Sequence, residues 1–458
     1  MHRYEVKKSK LKSILKLALI IVLILILGIL FINTWIHEYN IILRFQYIFK
    51  GNVFMMIIYM ILTYVFMLVF DCNNVSEIRV ATMIFTETLS FLTCNIFVYF
   101  VMIIPAAALG FMPIAPILLL SLKDFIVVIL WSFLVYYTFK TFFPAKNVLL
   151  ITDKSGQKNI IKKFSNKGDI FVIKEIIEYD NNIDEIYNKC ESYSDILIGD
   201  ITSETRNDIL KHCFNNSRNI YILPKLSDVL IKYSDDLFVF DSPVYLSANF
   251  GLSLESKILK RFFDIIVSLI VLIVFIPFWI IIAFAIKIED GGPVLFLQER
   301  VTLNNKIFKI IKFRSMKLDD DDRVLPTLKD DDRITVVGRF IRRFHLDEIP
   351  QFLNVLKGEM SVVGPRPERK EHVELYQKEI KEFEYRHKVK AGITGLAQIY
   401  GKYNTSAIDK LKLDLIYIKK YSFLFDVELM FRTLKVFFIG DNTEGFDIED
   451  QEYIKNNA

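Results

Sequence analysis

Apolar residues form long blocks through the first third of the chain and short alternating clusters thereafter. Residues 17–36 are almost unbroken Leu, Ile and Val, which meets the requirement of about 20 residues for a helix that crosses a bilayer. Further apolar runs cover 53–70, a segment centred on 89–104, and 125–139. Four membrane helices are therefore expected within residues 1–142. Glu87 weakens the start of the third, and Lys123 with Asp124 marks an edge of the fourth. Arg3, Lys7, Lys8, Lys10, Lys12 and Lys16 precede the first run, and basic residues concentrate on the cytoplasmic side of a membrane. Four crossings return the chain to that side at Lys140 and Lys146; Arg44 and Lys50 oppose this orientation but are outnumbered.

Between 143 and 252 the pattern changes. Short β-rich runs at 148–151, 171–173, 196–198 and 220–223 alternate with polar, helix-like stretches, as in a parallel α/β sheet. A dinucleotide site needs Gly-x-Gly-x-x-Gly after the first strand, whereas the turn here, Ile151-Thr-Asp-Lys-Ser-Gly156, has one glycine. The expectation is a Rossmann-like domain that binds no nucleotide. A fifth apolar run, 262–286, opens the last region, 253–458. It is long enough to span, yet Pro277 lies inside it, and Lys260, Arg261 and Lys287 flank its two ends. Proline removes a helix hydrogen bond and kinks the backbone. The expected form is a re-entrant helix–break–helix hairpin that enters and leaves by one face.

Composition sharpens this division. Hydrophobic residues make up 53% of the 458, above the roughly 45–50% usual in soluble proteins. Lys and Arg number 57 against 53 Asp and Glu, too even a balance for nucleic acid to be the main partner. Cys72, Cys94, Cys190 and Cys213 lack zinc-site spacing and are read as reduced.

Unusual local sequence gathers in 289–458. In Arg342-Arg-Phe-His-Leu-Asp-Glu-Ile-Pro-Gln351, Pro350 fits only the first turn of a helix. A helix through 351–356 therefore begins near Asp347 and ends at Gly358. Asp347 and Glu348 then sit at the positive end of a helix dipole, which also attracts phosphate. Adjacent helical side chains point about 100° apart, so the pair is poorly built to share a proton. Two readings stand: an N-capping Asp with a first-turn Glu, or one carboxylate as nucleophile and the other holding a cation. Val363-Gly-Pro-Arg-Pro367 presents Arg366 between two rigid prolines, as a bidentate phosphate contact or as a solvated turn. Lys312 and Arg314, two apart on a strand, point to one face. Gly392-Ile-Thr-Gly-Leu-Ala-Gln398 offers glycines for close backbone approach and Gln398 to read a base edge. The acidic runs 319–322 and 330–332 lack calcium-loop spacing and are read as solvated loops. His345 and His372 lack metal-ligand spacing and are read as structural.

In this order the clusters resemble the bacterial sugar transferase family, the polyprenyl-phosphate hexose-1-phosphate transferases, from Lys260 to about Val436. The likeness also rests on Lys260-Arg-Phe-Phe-Asp264, Gly291-Gly-Pro-Val294, Asn354-Val-Leu-Lys-Gly358-Glu-Met-Ser361 and Leu413-Asp414. The preceding spans and α/β domain look like the large form of the family. The resemblance implies a multi-pass protein of the bacterial inner membrane with a mixed α/β catalytic domain on the cytoplasmic face. It implies transfer of hexose-1-phosphate from a UDP-hexose to undecaprenyl phosphate, releasing UMP, at the start of capsule, exopolysaccharide or O-antigen synthesis. Glucose or galactose is the expected hexose. Asp347 falls on the family's nucleophile, which forms a phospho-sugar aspartyl intermediate, and Glu348 on the neighbouring acid that helps bind Mg2+. Lys312, Arg342 and Arg366 fall on its basic phosphate-binding positions, and Arg314 and Gln398 join them as substrate-binding candidates. Asp426 falls on its structural aspartate, while Arg261, Asp264 and Pro277 belong to the re-entrant helix. The lipid bilayer is a further partner, and a homodimer is allowed for.

The chain departs from the family's usual pattern at Ile276, where Ser often precedes the proline. Thr302 and Asn305 stand where glycines are usual, and Gly401-Lys402-Tyr403-Asn404 replaces an expected Gly-Arg-Asn. The alternative function is a membrane assembly or regulatory protein with a degenerate transferase domain, opposed by the intact Asp347, Glu348, Lys312 and Arg366. A transporter is opposed by spans without a central ionisable pair.

Overall fold

The computed structural model of the chain describes residues 2–43, 45–72, 80–103, 112–165, 170–179, 183–239, 241–247, 251–317, 333–401 and 405–439. Arg44, the acidic runs 319–322 and 330–332, and Lys402-Tyr403-Asn404 lie outside the described residues. The chain divides into two compact units, Met1–Pro224 and Lys225–Ala458.

The first unit opens with α1 (His2–Thr34), α2 (Phe49–Val69), α3 (Val80–Ile103) and α4 (Ala115–Phe142). All four are long and apolar enough to cross a membrane. Each packs on the next, and α1 closes against α4. Lipid gives helices little hydrophobic reason to associate, so packing and polar contacts decide the arrangement. The Phe31 and Tyr59 rings stack at 4.2 Å. The Tyr59 hydroxyl donates to Asn95 Oδ1 at 2.9 Å, and Asn95 Nδ2 donates to Asp124 Oδ2 at 3.0 Å. Ser132 Oγ donates to Glu87 Oε2 at 3.1 Å. Asp124 and Glu87, expected at span edges, are both buried inside the bundle. Helices α3 and α4 start before their apolar runs, and polar partners on neighbouring helices let each carboxyl enter.

The same unit continues into the α/β domain, with β1 (Lys146–Thr152), α5 (Lys154–Ser165), β2 (Phe171–Glu178), α6 (Ile183–Ser192), β3 (Asp195–Ile198), α7 (Ser203–Asn215) and β4 (Asn219–Ile222). The strands form one parallel sheet in the order β2-β1-β3-β4. Leu149, Ile151, Ile196 and Ile198 face Ile186, Cys190, Ile209 and Cys213 on α6 and α7, while Val148, Leu150 and Leu197 face Ile160 on α5. A central parallel strand buried on both faces reads as the continuous apolar run seen in β1. In the turn after β1, Asp153 Oδ1 accepts from Gly156 N at 2.9 Å. A carboxylate thus caps the place where Gly-rich versions of this turn seat a phosphate.

In the second unit α8 (Leu226–Lys232) joins the core through Val229. Strands β5 (Asp235–Val239) and β6 (Ser242–Leu246) form an exposed antiparallel ribbon. Helix α9 (Leu254–Asp290) follows, and Pro277 lies inside it with helix on both sides. In place of the expected break there is one continuous helix. The proline ring removes one hydrogen bond and crowds the carbonyl of residue 273, which bends a helix without ending it. A hairpin of β7 (Leu295–Val301) and β8 (Ile307–Phe313) comes next. Its turn holds Asn304 and Asn305 at φ 55° and 59°, a left-handed conformation that Asn tolerates better than most residues. Thr302 Oγ1 donates to the Glu359 carbonyl at 3.0 Å and accepts from Ala391 N at 3.1 Å. Thr302 and Asn305 thereby serve where glycines were expected.

The remaining elements are α10 (Val336–Arg343), α11 (Gln351–Lys357), β9 (Ser361–Val363), α12 (Lys370–Glu379), β10 (Gly392–Thr394), α13 (Leu396–Tyr400), α14 (Ala407–Lys420) and α15 (Phe423–Ile439). Val355, Met360, Val363, Phe383, Leu411, Leu415 and Leu429 form their common core. Strands β9 and β10 pair in parallel. A Cβ on Gly392 would stand 2.1 Å from Gly364 N, so the expected close backbone approach is real and demands glycine.

Candidate active site

The site is assembled around a short turn. Helix α10 starts at the N-cap Thr335, whose Oγ1 accepts from Gly338 N at 2.9 Å, and it ends at Arg343. His345 then takes φ 51°, and one 3-10 turn, Leu346–Glu348, carries both carboxylates. Pro350 caps α11, which stops at Gly358 with φ 85°. The sequence places the carboxylates in the first turn of that helix; they occupy their own tighter turn just ahead of it. Successive side chains in 3-10 geometry diverge by about 120°, and the two acids have different surroundings.

Glu348 is held by two cations. Lys312 Nζ on β8 donates to its Oε1 at 2.7 Å, and Arg366 Nη2 donates to the same oxygen at 3.0 Å. Burial pushes the Glu348 carboxyl up, but Lys312 and Arg366 outweigh it and hold the group well below the usual carboxylate range. Asp347 is 8% exposed and, among the described residues, makes no ion pair. Burial pushes its carboxyl up to about 6, with Lys312 pulling it down, Glu348 pushing it up, and Arg342 and Arg366 pulling it down. Two neighbouring carboxyls whose surroundings drive them apart are suited to different chemical roles.

Lys312 and Arg366 therefore meet Glu348 directly beside Asp347, and Arg342 acts on Asp347 through its charge. Arg314 is not among them. It lies one residue past the end of β8, where strand alternation lapses, and is buried in an ion pair with Asp290 at the end of α9. A Cβ on Gly292 would stand 2.6 Å from its Nη1. Gln398 sits on α13 with its Oε1 2.8 Å from where a Gly395 Cβ would stand. His372 pairs with Glu368 at 4.0 Å.

Arg261, Asp264 and Asp426 meet at the foot of α9. Asp264 Oδ1 accepts from Ser361 Oγ at 3.0 Å and Val362 N at 2.9 Å. Arg261 donates to the carbonyls of Val355 at 2.5 Å and Leu356 at 2.7 Å, capping the C-terminal end of α11. Lys260 Nζ lies 2.5 Å from Asp426 Oδ2 and 3.1 Å from the Tyr417 hydroxyl. Pro277 is exposed further along the helix.

Sequence reasoning missed the support beneath Arg366. Arg386, 1% exposed, donates from Nη2 to the Arg366 carbonyl at 2.9 Å and pairs with Asp414 at 2.8 Å. Arg300 Nη1 donates to the Pro367 carbonyl at 3.1 Å. These two guanidiniums hold the backbone on which Arg366 projects. Arg386 lies in the polar stretch 384–388, and the one available signal was the motif around Asp414.

The family model described as Bacterial sugar transferase matches residues 255–440. The exopolysaccharide production protein PSS of Rhizobium leguminosarum bv. phaseoli is 42% identical over 187 residues, covering 39% of this chain and 94% of that protein. The UDP-glucose:undecaprenyl-phosphate glucose-1-phosphate transferase of Klebsiella pneumoniae is 44% identical over 202 residues, covering 43% of this chain and 42% of that protein. The UDP-N-acetylgalactosamine-undecaprenyl-phosphate N-acetylgalactosaminephosphotransferase of Aeromonas hydrophila is 42% identical over 186 residues, with 40% and 44% covered. The match spans less than half the length of the latter two relatives. This chain belongs to the bacterial sugar transferase family.

Proposed function

We propose that the chain transfers hexose-1-phosphate from a UDP-hexose to undecaprenyl phosphate, releasing UMP, through a phospho-sugar intermediate on Asp347. The observation that carries this reading is the contrast within the acid pair: Glu348 is occupied by Lys312 and Arg366, whereas Asp347 is buried and makes no ion pair among the described residues. A carboxylate nucleophile divides one displacement into two steps. In the first, an Asp347 oxygen attacks the sugar-bearing phosphorus, and the bond to the bridging oxygen breaks, so that UMP leaves with that oxygen. In the second, a phosphate oxygen of undecaprenyl phosphate attacks the same phosphorus and the Asp347 carboxylate is restored. Lys312, Arg342 and Arg366 hold the phosphoryl oxygens and offset their charge. Arg386 and Arg300 fix the backbone that presents Arg366.

The residues present suit Mg2+. Both cation contacts to Glu348 end on Oε1, leaving Oε2 for a ligand. No cluster of three His, Cys, Asp or Glu occurs among the described residues, so a metal here would draw most of its ligands from the substrate diphosphate and water. That is the usual Mg2+ arrangement in phosphoryl transfer. When bound, Mg2+ neutralises phosphate charge.

In this reading α9 enters the bilayer from the cytoplasmic side and returns to it. Its buried positions are Lys260, Asp264 and Ser268 near one end and Ile282 and Ile286 near the other, with none between. At about 100° per residue all five fall on one side and Pro277 on the opposite side. Burial at both ends and exposure between them support a helix that rests on the folded core at each end and turns its middle to lipid, with the proline ring as the place to bend. Incubating membranes that contain the full chain with a panel of UDP-hexoses tests the proposal. UMP release that depends on undecaprenyl phosphate is expected with at least one sugar; release with none refutes it.

A further inference from the structure

A second cationic site lies apart from the carboxylate pair, at the foot of α9. Gly358 ends α11, and the side chains of two cations lie over it. A methyl group there would stand 3.6 Å from Arg261 Nη2 and 3.7 Å from Lys390 Nζ. Arg261 is accounted for as the cap on the Val355 and Leu356 carbonyls, although each of its terminal nitrogens carries a second N–H. Lys390 has no ion pair and no hydrogen bond from its ammonium among the described residues. The nearby Asp264 is already engaged by Ser361 and Val362. Burial and the charges of Arg261 and Lys260 push Lys390 below its ordinary value, with Asp264 opposing them. Lys260 is paired with Asp426, so among the described residues Asp264 is the one carboxylate left to face both Arg261 and Lys390, and the excess positive charge at this half-buried point favours a bound anion.

The surroundings say where the anion comes from. Ile258, Leu259 and Phe262, within one turn of Arg261, are 63%, 45% and 64% exposed. They begin the apolar surface that α9 carries for the rest of its length. Cations beside such a collar lie at the headgroup level of a membrane that takes up the helix. We infer that Arg261 and Lys390 form a binding site for the phosphate of a membrane lipid, either a bilayer phospholipid or a polyprenyl phosphate. The phosphate oxygens accept from the free N–H of Arg261 Nη2 and from Lys390 Nζ, and the acyl or prenyl chain lies along Ile258 and Phe262. The site needs α9 in the bilayer but stands whether or not Asp347 performs the chemistry proposed above.

The test reads lipid retention rather than turnover. Full-length wild type, Lys390→Gln and Lys390→Arg are released from detergent into native mass spectrometry with phosphatidylglycerol, with undecaprenyl phosphate, and with a phosphate-free glycolipid. Wild type is expected to retain a phosphate lipid over the neutral one. Lys390→Gln should weaken that retention about tenfold, the size of one charge-assisted hydrogen bond, and Lys390→Arg should keep it. A loss in the phosphatidylglycerol arm identifies a bilayer lipid, and a loss confined to undecaprenyl phosphate identifies the prenyl carrier. Equal retention by wild type and Lys390→Gln in both phosphate arms overturns the inference. If the Gln variant does not fold, wild type decides alone: retention that falls with added salt supports the site, and salt-insensitive retention overturns it.

Discussion

Lys260→Met strips a buried cation from Asp426. Nζ lies 2.5 Å from Asp426 Oδ2, and the two side chains are 7% and 2% exposed. Breaking a buried pair from one side leaves an uncompensated charge and costs about 3–5 kcal/mol. For a domain of about 150–250 residues each kcal/mol moves the melting temperature about 2–4 °C, so a fall of about 6–20 °C is expected. The pH dependence has a fixed sign. Burial already raises Asp426 above its ordinary value, so the protonated form is the one the fold prefers. Without Lys260 that preference grows, and the defect should shrink as the medium is acidified. The double variant Lys260→Met/Asp426→Asn removes the orphaned charge. It leaves the Tyr417 hydroxyl 3.1 Å from the Val363 carbonyl, and should recover most of the loss. Thermal unfolding of the full-length protein in nanodiscs, followed by intrinsic fluorescence, measures all three. A double variant no more stable than Lys260→Met, or a defect that deepens on acidification, would mean that the orphaned Asp426 charge is not the cause of the loss.

The acid limb of kcat/KM should fall near pH 6, because Asp347 is pushed up to about 6 and attacks only when ionised; a pH series of UMP release checks this. Arg366→Ala should lower kcat about 100-fold or more by removing a phosphate donor, whereas Arg386→Gln should give a smaller loss, because it leaves the Arg366 guanidinium in place; steady-state kinetics separate the two. Pro277→Leu should favour a straight span, so a cysteine placed after Ala458 should become reactive to an impermeant label in intact cells, while the same tag in the wild type stays protected.

Much of this organisation is written in local pattern. Strands β1 and β3 form on their apolar runs because both are buried on both faces, whereas the half-buried β2 continues to Glu178, well past the run at 171–173. Gly358 ends α11 as its left-handed φ requires, and the proline-flanked Arg366 reaches Glu348. What escaped depends on tertiary contact. Arg386 stands among Glu384, Tyr385, His387 and Lys388, polar neighbours that do not mark it for burial; Phe383 covers it from the same short segment, and the pairing with Asp414 comes from α14. Asp124 looks like a span boundary until Tyr59 and Asn95 meet it from two other helices. Arg314 follows the alternation of β8 on paper, but the strand ends at Phe313.

A nucleophilic Asp347 must at one stage carry the sugar phosphate covalently. Full-length protein given UDP-hexose without a lipid acceptor, then digested for peptide mass spectrometry, tests it most directly. The expected result is UMP in an amount matching the protein, a hexose-phosphate adduct on the peptide at Asp347, discharge of that adduct by undecaprenyl phosphate, and neither product from Asp347→Asn. An adduct on Glu348, or UMP formed at full rate by Asp347→Asn, would contradict it.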